Sequence, residues 1–168
     1  MPAGGKQVIA IGNRLKKCRN VRTLGLRTNF PDYTPEEAAL IRRAAKIYYP
    51  TIFYADIFDA LGKRLFPSYH TYKWAQDKIK QTTFFHLAGI PHPATRTYYG
   101  RRKTPENILR DFSFPFIAKI PRGSSLGRGV YLIKDCQDLE QYTAVHNPAY
   151  IQEYIPADRD IRVVVIGG

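Results

Sequence analysis

Apolar residues in this chain fall in short runs broken by charge, and the turn residues between the runs decide which period each one follows. QVIAI at 7–11 predicts a first buried strand, and the basic segment after it, which has no clear periodicity, reads as an excursion or a mobile loop. Thr34-Pro35-Glu36-Glu37 is a capping box with proline at the first helical position. The helix it opens is expected to place Ala38, Ile41, Ala45 and Tyr48 on one face and to stop at Pro50. A short amphipathic helix ending near Gly62 follows, then an extended piece at 64–66. This opening section, 1–67, reads as a small α/β unit.

A second section begins at Ser68, which caps a longer helix with Ala75, Ile79 and Thr83 on one side, ended by Gly89 and Pro91. Ala94 to Tyr99 reads as a strand, and Thr104-Pro105 opens a helix that turns Ile108, Leu109 and Phe112 inward. Strands are expected at FPFIAK, 114–119, at Val130 to Ile133 and at Tyr150 to Tyr154, with a helix capped by Asp135 and carrying Leu139 and Tyr142 before the last of these. DIRVVVI at 160–166 is a further strand of β-branched residues. It has the character of a central strand and stops at Gly167-Gly168, which would leave its far edge unpaired, so the chain is expected to be a fragment.

Charge changes this picture more than composition does. The 168 residues carry 26 Lys and Arg against 14 Asp and Glu, a formal charge of +12. Arg14, Lys16, Lys17, Arg19, Arg22 and Arg27 form one basic run, and Arg101, Arg102 and Lys103 a second at a turn. Each is either a solvated face or a contact for a polyanion, and the first keeps a basic nucleic-acid-binding module, with RNA or ribosomal contact, as the alternative function. No apolar stretch approaches a membrane span and the N-terminus lacks a signal-peptide pattern, so a cytoplasmic protein without membrane contact is expected. Cys18 and Cys136 are far apart, and His70, His86, His92 and His146 have no metal-ligand spacing, so neither a disulfide framework nor a metal site is expected from them.

The chemistry concentrates between Phe114 and Val130. A short apolar strand carries one cation, Lys119, and leads into a loop in which Gly123, Gly127 and Gly129 can take positive φ while Ser124, Ser125 and the loop N–H groups can donate to an anion. Taken alone, such a turn is an ordinary hairpin connection. Further cues surround it in a fixed order: Lys78 on a helix before it, Gln152-Glu153-Tyr154-Ile155 at a strand end after it, and Asp160-Ile161-Arg162 opening the next strand.

FPFIAK at 114–119, RGSSLGRGV at 122–130, QEYI at 152–155 and DIRVVV at 160–165 together resemble the ATP-grasp family, and within it the RimK-type ligases, which add glutamate to a ribosomal protein or make related amide bonds. The resemblance covers about 70–168. It implies an α/β (α+β) fold in which a small pre-grasp region, 1–67, precedes the first part of an ATP-grasp domain, 68–168, with an antiparallel or mixed sheet. It implies that Lys78 and Lys119 contact ATP phosphates from two sides, that the glycine loop folds over the triphosphate, and that Gln152, Glu153, Tyr154 and Ile155 form the adenine edge, with Glu153 accepting from the exocyclic amine directly or through its backbone. Asp160 would contact the ribose, and Arg162 would stabilise charge on the transferring phosphoryl group. The reaction implied joins a carboxylate to an amine, on an amino acid, peptide or protein C-terminus, through an acyl phosphate. The family's Mg²⁺ ligands are expected beyond residue 168, so the chain alone is expected to be inactive.

Overall fold

The computed structural model describes residues 8–124, 127–159, 161, 163 and 164. The chain divides into two compact units at Ala75 and Gln76.

The first unit is built on a parallel sheet of order β2-β1-β3-β4, with β1 at Val8–Ala10, β2 at Val21–Thr23, β3 at Lys46–Tyr48 and β4 at Arg64–Phe66. Helices α1, Pro35–Arg43, and α2, Thr51–Ala60, cover it. Ile9, Ile11, Ile41, Ile47, Tyr54 and Phe58 meet in its core. The capping box forms as the sequence predicts: Thr34 Oγ1 accepts from the Glu37 N–H, and the Glu37 carboxylate accepts from the Thr34 N–H.

Two expectations for this unit are corrected. The helix opened at Thr34 ends at Arg43 and does not reach Tyr48, because Ala44 turns to extended backbone and the next residues become β3, burying Ile47 completely between two neighbouring strands. Sheet burial there outweighs continuation of the helical turn. The basic segment also contains a strand, β2, paired along its length with β1. Two of its six cations are answered locally: Arg22 pairs with Glu36 at 2.7 Å, and Arg27 with Glu37 at 2.8 Å.

Helix α3, Tyr69–Gln76, runs to the boundary. The second unit holds α4 at Lys78–Leu87, β5 at Thr95–Tyr98, α5 at Pro105–Asp111, β6 at Phe116–Lys119, β7 at Val130–Ile133, α6 at Cys136–Val145 and β8 at Ala149–Glu153. Its sheet is antiparallel throughout, in the order β5-β8-β6-β7. Alternation along the strands separates two faces. Phe116, Ala118, Ala149 and Ile151 enter a core with Ile108 of α5 and Leu139 of α6. On the opposite face Lys119 registers with Tyr150, and Gln152 with Thr95.

The long helix expected from Ser68 to Gly89 is instead two helices, broken at Asp77. That residue is extended, bridges to Arg122, and caps α4 by accepting from the Ile79 and Lys80 N–H groups at 3.0 and 3.1 Å. An aspartate offered both a cap and a cation does better outside a helix than within one. The strand expected over 160–166 lies largely outside the described residues.

Candidate nucleotide site

Two lysines approach one another from different elements of the second unit. Lys119 ends β6 on the non-core face, where its Nζ donates to Gln152 Oε1; the Gln152 amide in turn donates to Thr95 Oγ1 at 2.9 Å, so three strands fix the ammonium. Lys78 is the first residue of α4. Its backbone N–H donates to Pro121 O at 2.9 Å, and Arg122 Nε reaches Asp77 Oδ2 at 2.8 Å, so the start of the helix is tied to the segment just after β6. The Lys78 Nζ donates to Ile120 O, Ser124 O and Ser124 Oγ at 3.0, 3.2 and 2.8 Å.

These acceptors are all neutral. No carboxylate pairs with either ammonium among the described residues. Both groups are therefore held below the usual lysine range, Lys78 by burial and Lys119 by burial and then by the charge of Lys78. Two desolvated cations that repel each other across a gap are relieved by an anion placed between them. The gap is a cavity of about 230 Å³ lined by Lys78, Lys119, Gln152, Tyr150, Thr82 and His92 among others, none of them acidic.

The walls are themselves anchored. Thr82, one turn along α4 from Lys78, meets the Tyr150 hydroxyl at 2.6 Å. Tyr142 of α6 donates to Lys119 O at 2.7 Å and accepts from the Tyr150 N–H at 3.1 Å, and its burial pushes the phenol up to about 12. The glycine loop closes onto β6 through Ile120, whose N–H donates to Gly129 O at 2.8 Å. Gly129 has φ 69° and a Cβ there would lie 2.8 Å from Ile120 side-chain atoms, so any larger residue would be strained and would have to displace Ile120.

The structure thus brings Lys78, Lys119, Ser124 and Gln152 together. Gly123, Gly127 and Gly129 take positive φ in the loop beside them. Glu153 turns elsewhere: its carboxylate accepts from the Ala94 N–H and its own N–H donates to Ala94 O, both at 2.9 Å. Tyr154 and Ile155 follow it as exposed apolar residues. Ser125, Asp160 and Arg162 lie outside the described residues. Thr82, Thr95, Tyr142 and Tyr150 were not among the site residues expected from the sequence; the period-two step from Gln152 to Tyr150 and the i+4 step from Lys78 to Thr82 were the available signals.

An antiparallel sheet thus faces a helix start, with a lysine from each and a glycine loop between two of the strands. The chain belongs to the RimK-like ATP-grasp domain family, whose family model matches residues 75–168. A curated relative, the 5-formaminoimidazole-4-carboxamide-1-(beta)-D-ribofuranosyl 5'-monophosphate synthetase of Pyrobaculum neutrophilum, is 35% identical over 83 residues, which is 49% of this chain and 21% of that protein. Among solved structures, the RimK domain ATP-grasp protein of Sphaerobacter thermophilus matches with a TM-score of 0.64 at 16% identity, over 90% of this chain and 65% of that one. The N5-carboxyaminoimidazole ribonucleotide synthetase of Thermotoga maritima matches with a TM-score of 0.62 at 23% identity, over 90% of this chain and 46% of that one. The chain therefore spans about a fifth of the curated relative's length and under two thirds of these solved chains. Among the described residues no helix is long and apolar enough to cross a membrane.

Proposed function

We propose that this chain is the ATP-binding part of an ADP-forming ligase that joins a carboxylate to an amine. The observation that carries the reading is the pair of lysines, Lys78 and Lys119, desolvated, without acidic partners among the described residues, and facing one cavity. Membership of the ATP-grasp family supports it, as does the likeness to an N5-carboxyaminoimidazole synthetase solved with ADP and to a biotin carboxylase domain solved with MgADP.

In this reading the lysines hold the phosphates as point charges with several donors each, and Ser124 and the loop N–H groups cover them. Lys78 then exchanges its carbonyl acceptors for phosphate oxygens. Gln152 sets the position of Lys119. Because the Glu153 carboxylate is committed to Ala94, the adenine is recognised by backbone groups and by the apolar surface of Tyr154 and Ile155. Asp160 and Arg162 keep the ribose and phosphoryl roles that the family resemblance gives them. Mg²⁺ enters as the nucleotide's counter-ion, and no residue of this chain is assigned to it.

The reaction has two steps. A carboxylate oxygen attacks the γ-phosphorus and ADP leaves with the bond electrons, giving an acyl phosphate. An amine nitrogen then attacks the acyl carbon, loses a proton, and expels phosphate to leave an amide. Positioning and charge neutralisation supply the rate, without a side-chain nucleophile.

Thermal unfolding with and without ATP tests the site. ATP is expected to raise the Tm of the wild-type protein and to leave that of Lys119→Ala nearly unmoved; equal protection of both would place the nucleotide elsewhere. Trapping with hydroxylamine tests the chemistry, since an acyl phosphate yields a hydroxamate in step with ADP. ADP formed without hydroxamate, across a panel of carboxylates, would contradict the ligase reading while leaving nucleotide binding intact.

A further inference from the structure

A second, larger hollow in the same unit is built for a different anion. It encloses about 680 Å³ and is lined by Arg96, Arg101, Arg102 and Arg110, with Asn107 and the rings of Tyr98 and Tyr99. One acid lies among these four guanidinium groups, Asp111, and it is already engaged: it accepts from the Tyr98 hydroxyl and pairs with Arg96. Arg110 donates to the neutral Asn107 side chain and acts on Asp111 only as a nearby charge, and among the described residues neither Arg101 nor Arg102 pairs with a carboxylate. Among the described residues, three cations thus stand around one cavity without a carboxylate paired to them.

This hollow is separate from the lysine pocket. On β5, Thr95 and Thr97 register with Gln152 and Tyr150 on the lysine side, whereas Arg96 and Tyr98 register with Ile151 and Ala149 on the core side. The 3₁₀ turn Gly100–Arg102, which opens with Gly100 at φ 49°, then brings Arg101 and Arg102 to the rim, and α5 supplies Asn107 and Arg110.

We infer that this hollow binds a small phosphorylated molecule, distinct from the nucleotide held by Lys78 and Lys119. Guanidinium groups are planar forks that match phosphate oxygens two at a time, and three of them favour a group that concentrates two negative charges over a single carboxylate. Tyr99, about half exposed at the rim, offers a flat apolar face to the rest of the ligand. An extended polyanion such as RNA needs charges strung along a track, and these ring a single concavity.

The experiment is a titration of the protein with inorganic pyrophosphate, followed by backbone amide shifts, with Lys119→Ala as the background so that the lysine pocket is disabled. Shifts are expected at Gly100 to Lys103 and at Asn107. They should need at least about tenfold more pyrophosphate when Arg101→Glu and Arg102→Glu are added, with the fold checked by the unchanged remainder of the spectrum. Citrate at the same ionic strength separates phosphate from carboxylate recognition and should be the weaker ligand. Shifts confined to the lysine pocket, equal response in the charge-reversed protein, or tighter binding of a single-stranded RNA oligonucleotide at the same amides would each overturn the inference.

Discussion

At the scale of single residues, the site stores repulsion. Lys119 is held below 10.5 by burial and by Lys78, so the unfolded chain binds more protons than the folded one between the folded value and 10.5. Its contribution to folding therefore improves as pH rises through that interval, and the penalty is fully present below it. Replacing it by an apolar residue of similar length should relieve the penalty: Lys119→Met is expected to leave the ligand-free protein equally stable or more stable by about 1 kcal/mol, and to abolish stabilisation by ATP. Paired thermal melts read both, and a marked loss of stability with ATP protection retained would contradict the electrostatic account. Gly129 sets the loop by backbone geometry. Gly129→Ala must hold an L-residue at φ 69° and push aside Ile120, whose carbonyl holds Lys78. A cost of about 1–2 kcal/mol and weaker ATP binding are expected together, by chemical denaturation and calorimetry.

Among the elements, the break at Asp77 positions the chemistry. One residue ends α3, caps α4 and, through Arg122, ties the helix start to the strand that carries Lys119. Burial alone would raise its carboxyl, but the hydrogen bond from Arg122, then the Lys80 N–H, the Arg122 charge and the Ile79 N–H outweigh burial and hold it below 3.8. A depressed acid stabilises above its unfolded value and loses that contribution as pH falls through the folded one, so this part of the stability disappears below about pH 4. Asp77→Asn is expected to cost about 1 kcal/mol at neutral pH, to flatten the acid limb of stability, and to weaken ATP through Lys78. An unchanged acid limb would refute the pairing. Much of this architecture was legible in the chain. The caps at Thr34, Thr104 and Asp135 could be read because a cap is a contact within one turn, and all three helices start where they were expected. What failed was decided at a distance: Ile47 leaves helical periodicity for a parallel sheet, β2 is specified by its partner β1, and Asp77 leaves the helix for Arg122. The same limit applied to the site. Lys78, Lys119 and Gln152 were visible as motif residues, whereas Thr82, Tyr142 and Tyr150 matter only through contacts with other elements.

For the whole molecule, a formal charge of +12 draws anions generally, so attraction has to be separated from recognition. Between about 0.1 and 1 M salt the screening length falls from about 10 to about 3 Å, which removes the diffuse field and leaves partly buried contacts comparatively intact. ATP affinity should accordingly fall with salt and then level off in the wild-type protein, and fall without levelling in the double variant Lys78→Ala, Lys119→Ala. The most direct measurement is a calorimetric comparison of ATP, ADP and AMP with wild-type protein, Lys119→Ala and Lys119→Arg. Affinity in the wild type is expected to rise with each added phosphate, and that gain to collapse in Lys119→Ala while AMP binding changes little. Lys119→Arg should recover part of it. A phosphate-dependent gain that survives in Lys119→Ala would contradict the claim that these lysines hold the nucleotide.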